Sequence, residues 1–170
     1  MKGLMAASLA VVAVGAGIGM PGAVEAATSQ GRYFQNATGF CQPSLPVYDG
    51  NIRKRPTAVA NEGTGNAFVS CSMPTSSEMS SGIVNLYLAL YNRGTAAVDV
   101  TCNLVHSYQA GSQVFPRTLS ISPGSRTFFS WLRVDVTAQP SLQFANFNCN
   151  LPPGVEIGYG YYHYDYEIGN

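Results

Sequence analysis

Between Ile83 and Tyr108 the chain alternates apolar and polar positions in two runs, IVNLYLALYN and AAVDVTCNLVHSY. In the first, Val84, Leu86, Leu88 and Leu90 share one face and Asn85, Tyr87, Ala89 and Tyr91 the other. In the second, Val98, Val100, Cys102 and Leu104 alternate with Asp99, Thr101 and Asn103. A period of two is that of a half-buried strand, whereas a helix would scatter these apolar residues around its circumference. The joint, Asn92-Arg93-Gly94-Thr95, has a glycine for a left-handed turn and side chains that bond local backbone, which predicts a hairpin of two antiparallel strands.

Further strands are expected at Ala67–Ser72, at Val114–Ile121 as an edge strand because of Pro116, and at Arg126–Val136, Leu142–Leu151 and Val155–Glu167. Ser122-Pro123-Gly124-Ser125 and Pro152-Pro153-Gly154 are turn signals between them. Pro43, Pro46 and Pro56 deny the earlier part a long central strand, and Thr28–Gly39 is polar without periodicity, a mobile arm over residues 27–40. Strands at this spacing predict an all-β fold: one antiparallel β-sandwich over residues 41–170, immunoglobulin-like or jelly-roll-like, with six to eight strands.

Composition adds a compartment. Residues 1–26 read as a signal peptide: Lys2, an apolar segment from Leu4 to Met20, then Val24-Glu25-Ala26, so that the mature chain begins at Ala27. Gly15, Gly17, Gly19 and Pro21 break that segment, which predicts no stable membrane insertion after cleavage and an exported protein, secreted or periplasmic. Charged residues are 11% of the 170, against ~25% in ordinary soluble domains, and nine basic residues balance nine acidic ones. That balance gives no footprint for nucleic acid, and Arg53-Lys54-Arg55 reads as a solvated loop.

Four cysteines in an exported chain read as two disulfides. Cys102 shares the Val100 and Leu104 face, and Cys149 the Phe147 and Leu151 face, so both point inward from strands expected to face each other. Cys102 is therefore assigned to Cys149, which leaves Cys41 for Cys71. The segments CQPSLPVYDGNIRKRPTAVANEGTGNAFVSCS and FNCNLPPGVEIGYGYYHYDYE resemble small exported bacterial proteins that pair a signal peptide with a cysteine-bearing β-sandwich. The resemblance implies fold and compartment, and no activity.

Candidate chemistry is sparse. No serine lies in a G-x-S-x-G turn, no C-x-x-C pair is present, and no cofactor motif occurs. His106 continues the Cys102 and Leu104 face as a hydrogen-bonded core or rim histidine, and His163, Asp165 and Glu167 share one side of the last strand, a weak metal-ligand candidate. The tyrosines stand out more. Tyr162, Tyr164 and Tyr166 fall on one face of the last strand and Tyr159 and Tyr161 on the other, with Gly158 and Gly160 leaving room for a ring. Tyr162, Tyr164 and Tyr166 together with Trp131 are the expected ligand-binding set, for a glycan or an envelope protein. The function so predicted is that of a non-enzymatic exported sandwich; the alternatives are a small secreted hydrolase and a purely structural envelope module.

Overall fold

The last strand organises the molecule: β11 (Val155–Glu167) pairs with three different partners. The computed structural model describes residues 27–75, 79, 82–108, 111–136, 142 and 144–168; the predicted leader, 1–26, lies outside the described residues. Eleven strands are present among them: β1 (Thr28–Asn36), β2 (Cys41–Pro43), β3 (Ile52–Lys54), β4 (Val59–Asn61), β5 (Ala67–Met73), β6 (Ile83–Asn92), β7 (Val98–Tyr108), β8 (Gly111–Ile121), β9 (Arg126–Leu132), β10 (Ala145–Leu151) and β11. Six form one antiparallel sheet in the order β3-β4-β11-β6-β9, with β1 also on β11; five form the second, β2-β5-β10-β7-β8. This is the predicted antiparallel β-sandwich, and three additional three-residue strands in the proline-rich part raise the count above six to eight.

Between the sheets lie Leu86, Leu88, Leu90, Phe129, Trp131 and Ile157 from the first and Val69, Val100, Leu104, Phe147 and Leu151 from the second, all 0–2% exposed. Two polar ring tips are satisfied across this core: Trp131 Nε1 donates to the Phe115 carbonyl (3.0 Å) and Tyr162 Oη to that of Pro74 (2.9 Å). Pro116 does sit on an edge strand, β8, where a missing N–H costs no ladder bond on the outer side.

Three expectations are corrected. Thr28–Asn36 is no free arm; it is β1, paired residue for residue with Tyr159–Glu167, and Tyr33 stacks on Tyr162 at 5.3 Å. Its polar residues alternate with Tyr33 and Gly31 rather than with aliphatic ones, which hid the period. The predicted strands β6 and β7 exist but form no hairpin: β6 pairs with β11 and β9, and β7 with β10 and β8. Gly94 is also not among the glycines with positive φ. Both disulfides form as assigned, but within the five-stranded sheet, since β7 and β10 are neighbours rather than facing strands. Cys102 lies directly opposite Cys149, and Cys41 opposite Cys71, with Cα separations of 4.1 and 4.0 Å.

What joins β6 to β7 is an arch from sheet to sheet built on a buried asparagine. Asn92 Nδ2 donates to the carbonyls of Ala96 (2.8 Å) and Ile121 (2.9 Å), and its Oδ1 accepts from Gly94 N (2.8 Å). The connection from β4 to β5 repeats this: Asn61 Nδ2 donates to Gly65 O (2.8 Å) and Leu151 O (2.7 Å), and Oδ1 accepts from Gly63 N (3.0 Å). The asparagine backbone carbonyls in turn accept from Gly124 N (2.9 Å) and Gly154 N (2.8 Å), each in a Pro-Gly turn where φ is +67° or +79°. The sequence shows the same repeat, Asn61-Glu62-Gly63-Thr64 and Asn92-Arg93-Gly94-Thr95 matched by Pro153-Gly154 and Pro123-Gly124. Two interlocked pairs of arches thus close one end of the sandwich and fix the register of the four strands β4, β11, β6 and β9.

Candidate ligand-binding face

The residues expected to bind a ligand face inward. Tyr162 is 0% exposed, Trp131 1% and Tyr164 8%, and Tyr166 packs partly buried against the core. Opposed residues of an antiparallel pair point to the same side, and Tyr162 stands opposite Leu86, so the leucine face of β6 draws it into the core. Parity separated the two tyrosine sets correctly but did not say which was inside. Gly160 makes room as expected: a Cβ there would meet Met73 Sδ at 2.7 Å and the Phe40 ring at 3.0 Å.

The solvent side of the six-stranded sheet carries the other set. Phe34, Tyr161 and Tyr87 occupy one row across β1, β11 and β6, and the row ends at Ser130 on β9. Tyr87 and Tyr161 stack at 4.5 Å and 15°, and Phe34 and Tyr161 at 6.5 Å and 19°. The next row holds Tyr159 and Phe128, with Tyr159 4.7 Å from Phe34 and Phe128 edge-on to both tyrosines. The rings stand upright like books, so most faces are covered by a neighbour. Phe34 at the sheet edge is 55% exposed and Phe128 37%, and the partly buried Tyr87 stands opposite the short Ser130. Phe34 was hidden in the segment read as an arm, and Tyr87 was legible only as a polar-side member of its alternating run.

Charges frame this strip. Arg32 lies over Tyr161 at 5.6 Å and donates from Nε to His163 Nε2 (3.0 Å); Arg126 lies over Phe128 at 5.1 Å and reaches Tyr159 Oη at 3.4 Å. Burial first and the Arg32 charge second hold His163 below its usual range, so it stays a neutral acceptor for Arg32 near neutral pH. Burial raises the Tyr161 hydroxyl pKa, with the Tyr87 contact adding to it, so Tyr161 stays a neutral phenol. Glu156 is held by Arg93 at 2.8 and 3.0 Å, a pairing that pushes the Arg93 pKa up, and Asp165 lies 3.5 Å from Arg133. His163, Asp165 and Glu167 do share this outer face, but they form no ligand set: no group of three or more His, Cys, Asp or Glu among the described residues is placed to hold a metal ion. Beside Tyr159 is a recess of about 210 Å³, floored by Ala89 and Gly158 and walled by Tyr91, Arg126 and Glu156.

A larger hollow, about 490 Å³, lies on the five-stranded sheet and is lined by Gln42, Lys54, Ser70, Ser72, Asn146 and Asn148. Its short polar groups already bond one another, Ser72 Oγ to Asn146 Oδ1 and Ser70 Oγ to Ser44 Oγ, both at 2.7 Å, and it presents no stacked aromatic face. Size favours this hollow, and chemistry favours the aromatic face. A recognition surface needs uncovered anchors more than volume, and exposed aromatic rings supply them.

The fold and face define a small, disulfide-clipped antiparallel β-sandwich with an aromatic outer surface. No family model matches the sequence, and no curated protein matches it. Among solved structures, a subunit described under disulfide-linked pili of Bacillus endospore appendages is similar over 96% of this chain and 100% of its own, at 13% identity and a TM-score of 0.38. A family 11 carbohydrate-binding module from Clostridium thermocellum, in complex with a β-1,3-1,4-mixed-linked tetrasaccharide, is similar over 82% of this chain and 88% of its own, at 13% identity and 0.35. A module described under CBM4 structure and function is similar over 81% and 86%, at 7% identity and 0.36. At these values the likenesses carry no functional assignment.

Proposed function

We propose that this chain is an exported, non-enzymatic β-sandwich that binds carbohydrate on the outer face of its six-stranded sheet. The observation that supports this is the stacked row of Phe34, Tyr161 and Tyr87 on the solvent side of the sheet, with Phe34 exposed at its edge. A pyranose presents a face of C–H bonds that packs on such rings, while its hydroxyls meet the tyrosine hydroxyls and guanidiniums beside them. Tyr and Phe on a solvent-facing surface serve no core, and the other sheet covers its outer face mainly with serine, threonine and asparagine, with Phe68 against Tyr48 and Val114 exposed beside them. Export agrees with two disulfides, which persist in oxidising compartments, and no helix among the described residues is long and apolar enough to cross a membrane.

Binding to a panel of immobilised polysaccharides tests the reading. The wild type is expected to bind at least one, Tyr87→Ala and Phe34→Ala to weaken it about tenfold (~1.4 kcal/mol) with little change in melting temperature. Trp131→Ala and Tyr162→Ala are expected to do the reverse, costing ~3–5 kcal/mol of stability as buried aromatics do. Unchanged affinity in Tyr87→Ala and Phe34→Ala would remove the face from the account.

A further inference from the structure

The chain as a whole is neutral, yet its aromatic face is not. On the outer side of the six-stranded sheet Glu156 is neutralised by Arg93 and Asp165 by Arg133. Glu167, at the far end of β11, is the remaining carboxylate of that strand. Arg32 and Arg126 have no carboxylate partner among the described residues; their contacts are His163, Tyr159 and the rings of Tyr161 and Phe128. Arg53, opposite Ala60 on the same side, bonds only backbone carbonyls among the described residues, those of Asp49 and Ile52. The Arg32 and Arg126 guanidiniums are held against aromatic faces, with unused N–H groups.

Resting on the carbohydrate reading above, we propose that the ligand is an acidic polysaccharide, one whose sugars carry carboxylate or sulfate groups. Arg126 forms a wall of the 210 Å³ recess beside Tyr159, whose floor of Ala89 and Gly158 leaves space for an anionic substituent while the sugar ring packs on the aromatic strip. Glu156 lines the same recess, but its charge is already taken by Arg93. Arg32 repeats the arrangement at the other end of the Tyr159–Tyr161 pair, over Tyr161 and beside a neutral His163. The planar guanidinium fork matches carboxylate and sulfate geometry in a way a lysine would not. A neutral polysaccharide would leave both charges desolvated without a counter-charge, and specificity for the acidic form follows from that difference.

Polygalacturonic acid and its fully methyl-esterified form share one backbone and differ in charge, which makes them matched probes. The full chain, purified with its disulfides intact, is expected to bind the acid at least tenfold more tightly (~1.4 kcal/mol) at low salt, with the advantage shrinking as salt rises. Arg32→Gln and Arg126→Gln should each cut that advantage by several-fold, weakening binding to the acid more than binding to the ester, whereas Lys54→Gln, the same charge change away from the face, should leave both unchanged. Equal binding of acid and ester by the wild type overturns the acid preference and leaves the carbohydrate reading standing. Binding of neither form, with a neutral polysaccharide bound instead, overturns the preference alone; binding of no polysaccharide at all overturns both. An equal loss in Lys54→Gln would reduce the effect to bulk charge and overturn the assignment to Arg32 and Arg126.

Discussion

His106 is the residue whose environment departs furthest from what its chemistry asks. It is 2% exposed on the inner face of β7, and neither ring nitrogen has a hydrogen-bond partner among the described residues. Its alternation with Cys102 and Leu104 placed it inward correctly, but parity says nothing about partners, and the expected hydrogen bond is not made among the described residues. A buried polar group without a partner costs ~1–3 kcal/mol, so His106→Leu is expected to raise the free energy of unfolding by about 1 kcal/mol in urea titration, after allowance for imperfect packing. His163 is the converse case, exposed enough to titrate. Its pKa is lowered in the folded state, so the unfolded chain takes up the proton first; its contribution to stability is whole above the ordinary value of 6.5 and declines as pH falls through that value. Comparing melting temperatures at pH 7.5 and 5.5 for wild type and His163→Gln should show a smaller drop in the variant.

At the scale of elements, the strands were legible and their partners were not. The period of two located β5, β6, β7, β10 and β11 nearly residue for residue. Whether β6 turns back beside itself or crosses to the other sheet depends on where the side chain of Asn92 finds its acceptors, and these lie at Ala96 and at the distant Ile121. The one signal available was the recurrence of Asn-x-Gly-Thr at Asn61 and Asn92, matched by two Pro-Gly turns. Because both asparagines are fully buried and make the same three bonds, Asn61→Ala and Asn92→Ala are each expected to cost ~2–4 kcal/mol, by similar amounts, in urea unfolding. A loss confined to one of them would show that the two arches are not energetically equivalent. The aromatic face was hidden for a related reason: Phe34 joins Tyr161 only because β1 pairs with β11, a contact between residues far apart in the chain.

For the whole molecule, crosslinks and aromatic surface are divided between the sheets. Both disulfides clip neighbouring strands of the five-stranded sheet, β2 to β5 and β7 to β10, and neither ties one sheet to the other. In the chain-entropy model the 30- and 47-residue separations correspond to ~3–4 kcal/mol each, so Cys41→Ser/Cys71→Ser and Cys102→Ser/Cys149→Ser variants should lose comparable stability. Since the sheets are held together by the core, reduction should first lower hydrogen-exchange protection of β2, which has only one strand partner, while β6 and β11 keep theirs. The six-stranded sheet, free of crosslinks, carries the aromatic rings and the uncompensated arginines, and the central claim is that this side meets the ligand. Chemical-shift mapping of the labelled protein during titration with a bound polysaccharide tests that claim most directly. Perturbations at Phe34, Tyr87, Phe128, Tyr159 and Tyr161 are the predicted result; perturbations confined to Gln42, Ser70, Asn146 and Asn148, in the polar hollow of the opposite sheet, would contradict it.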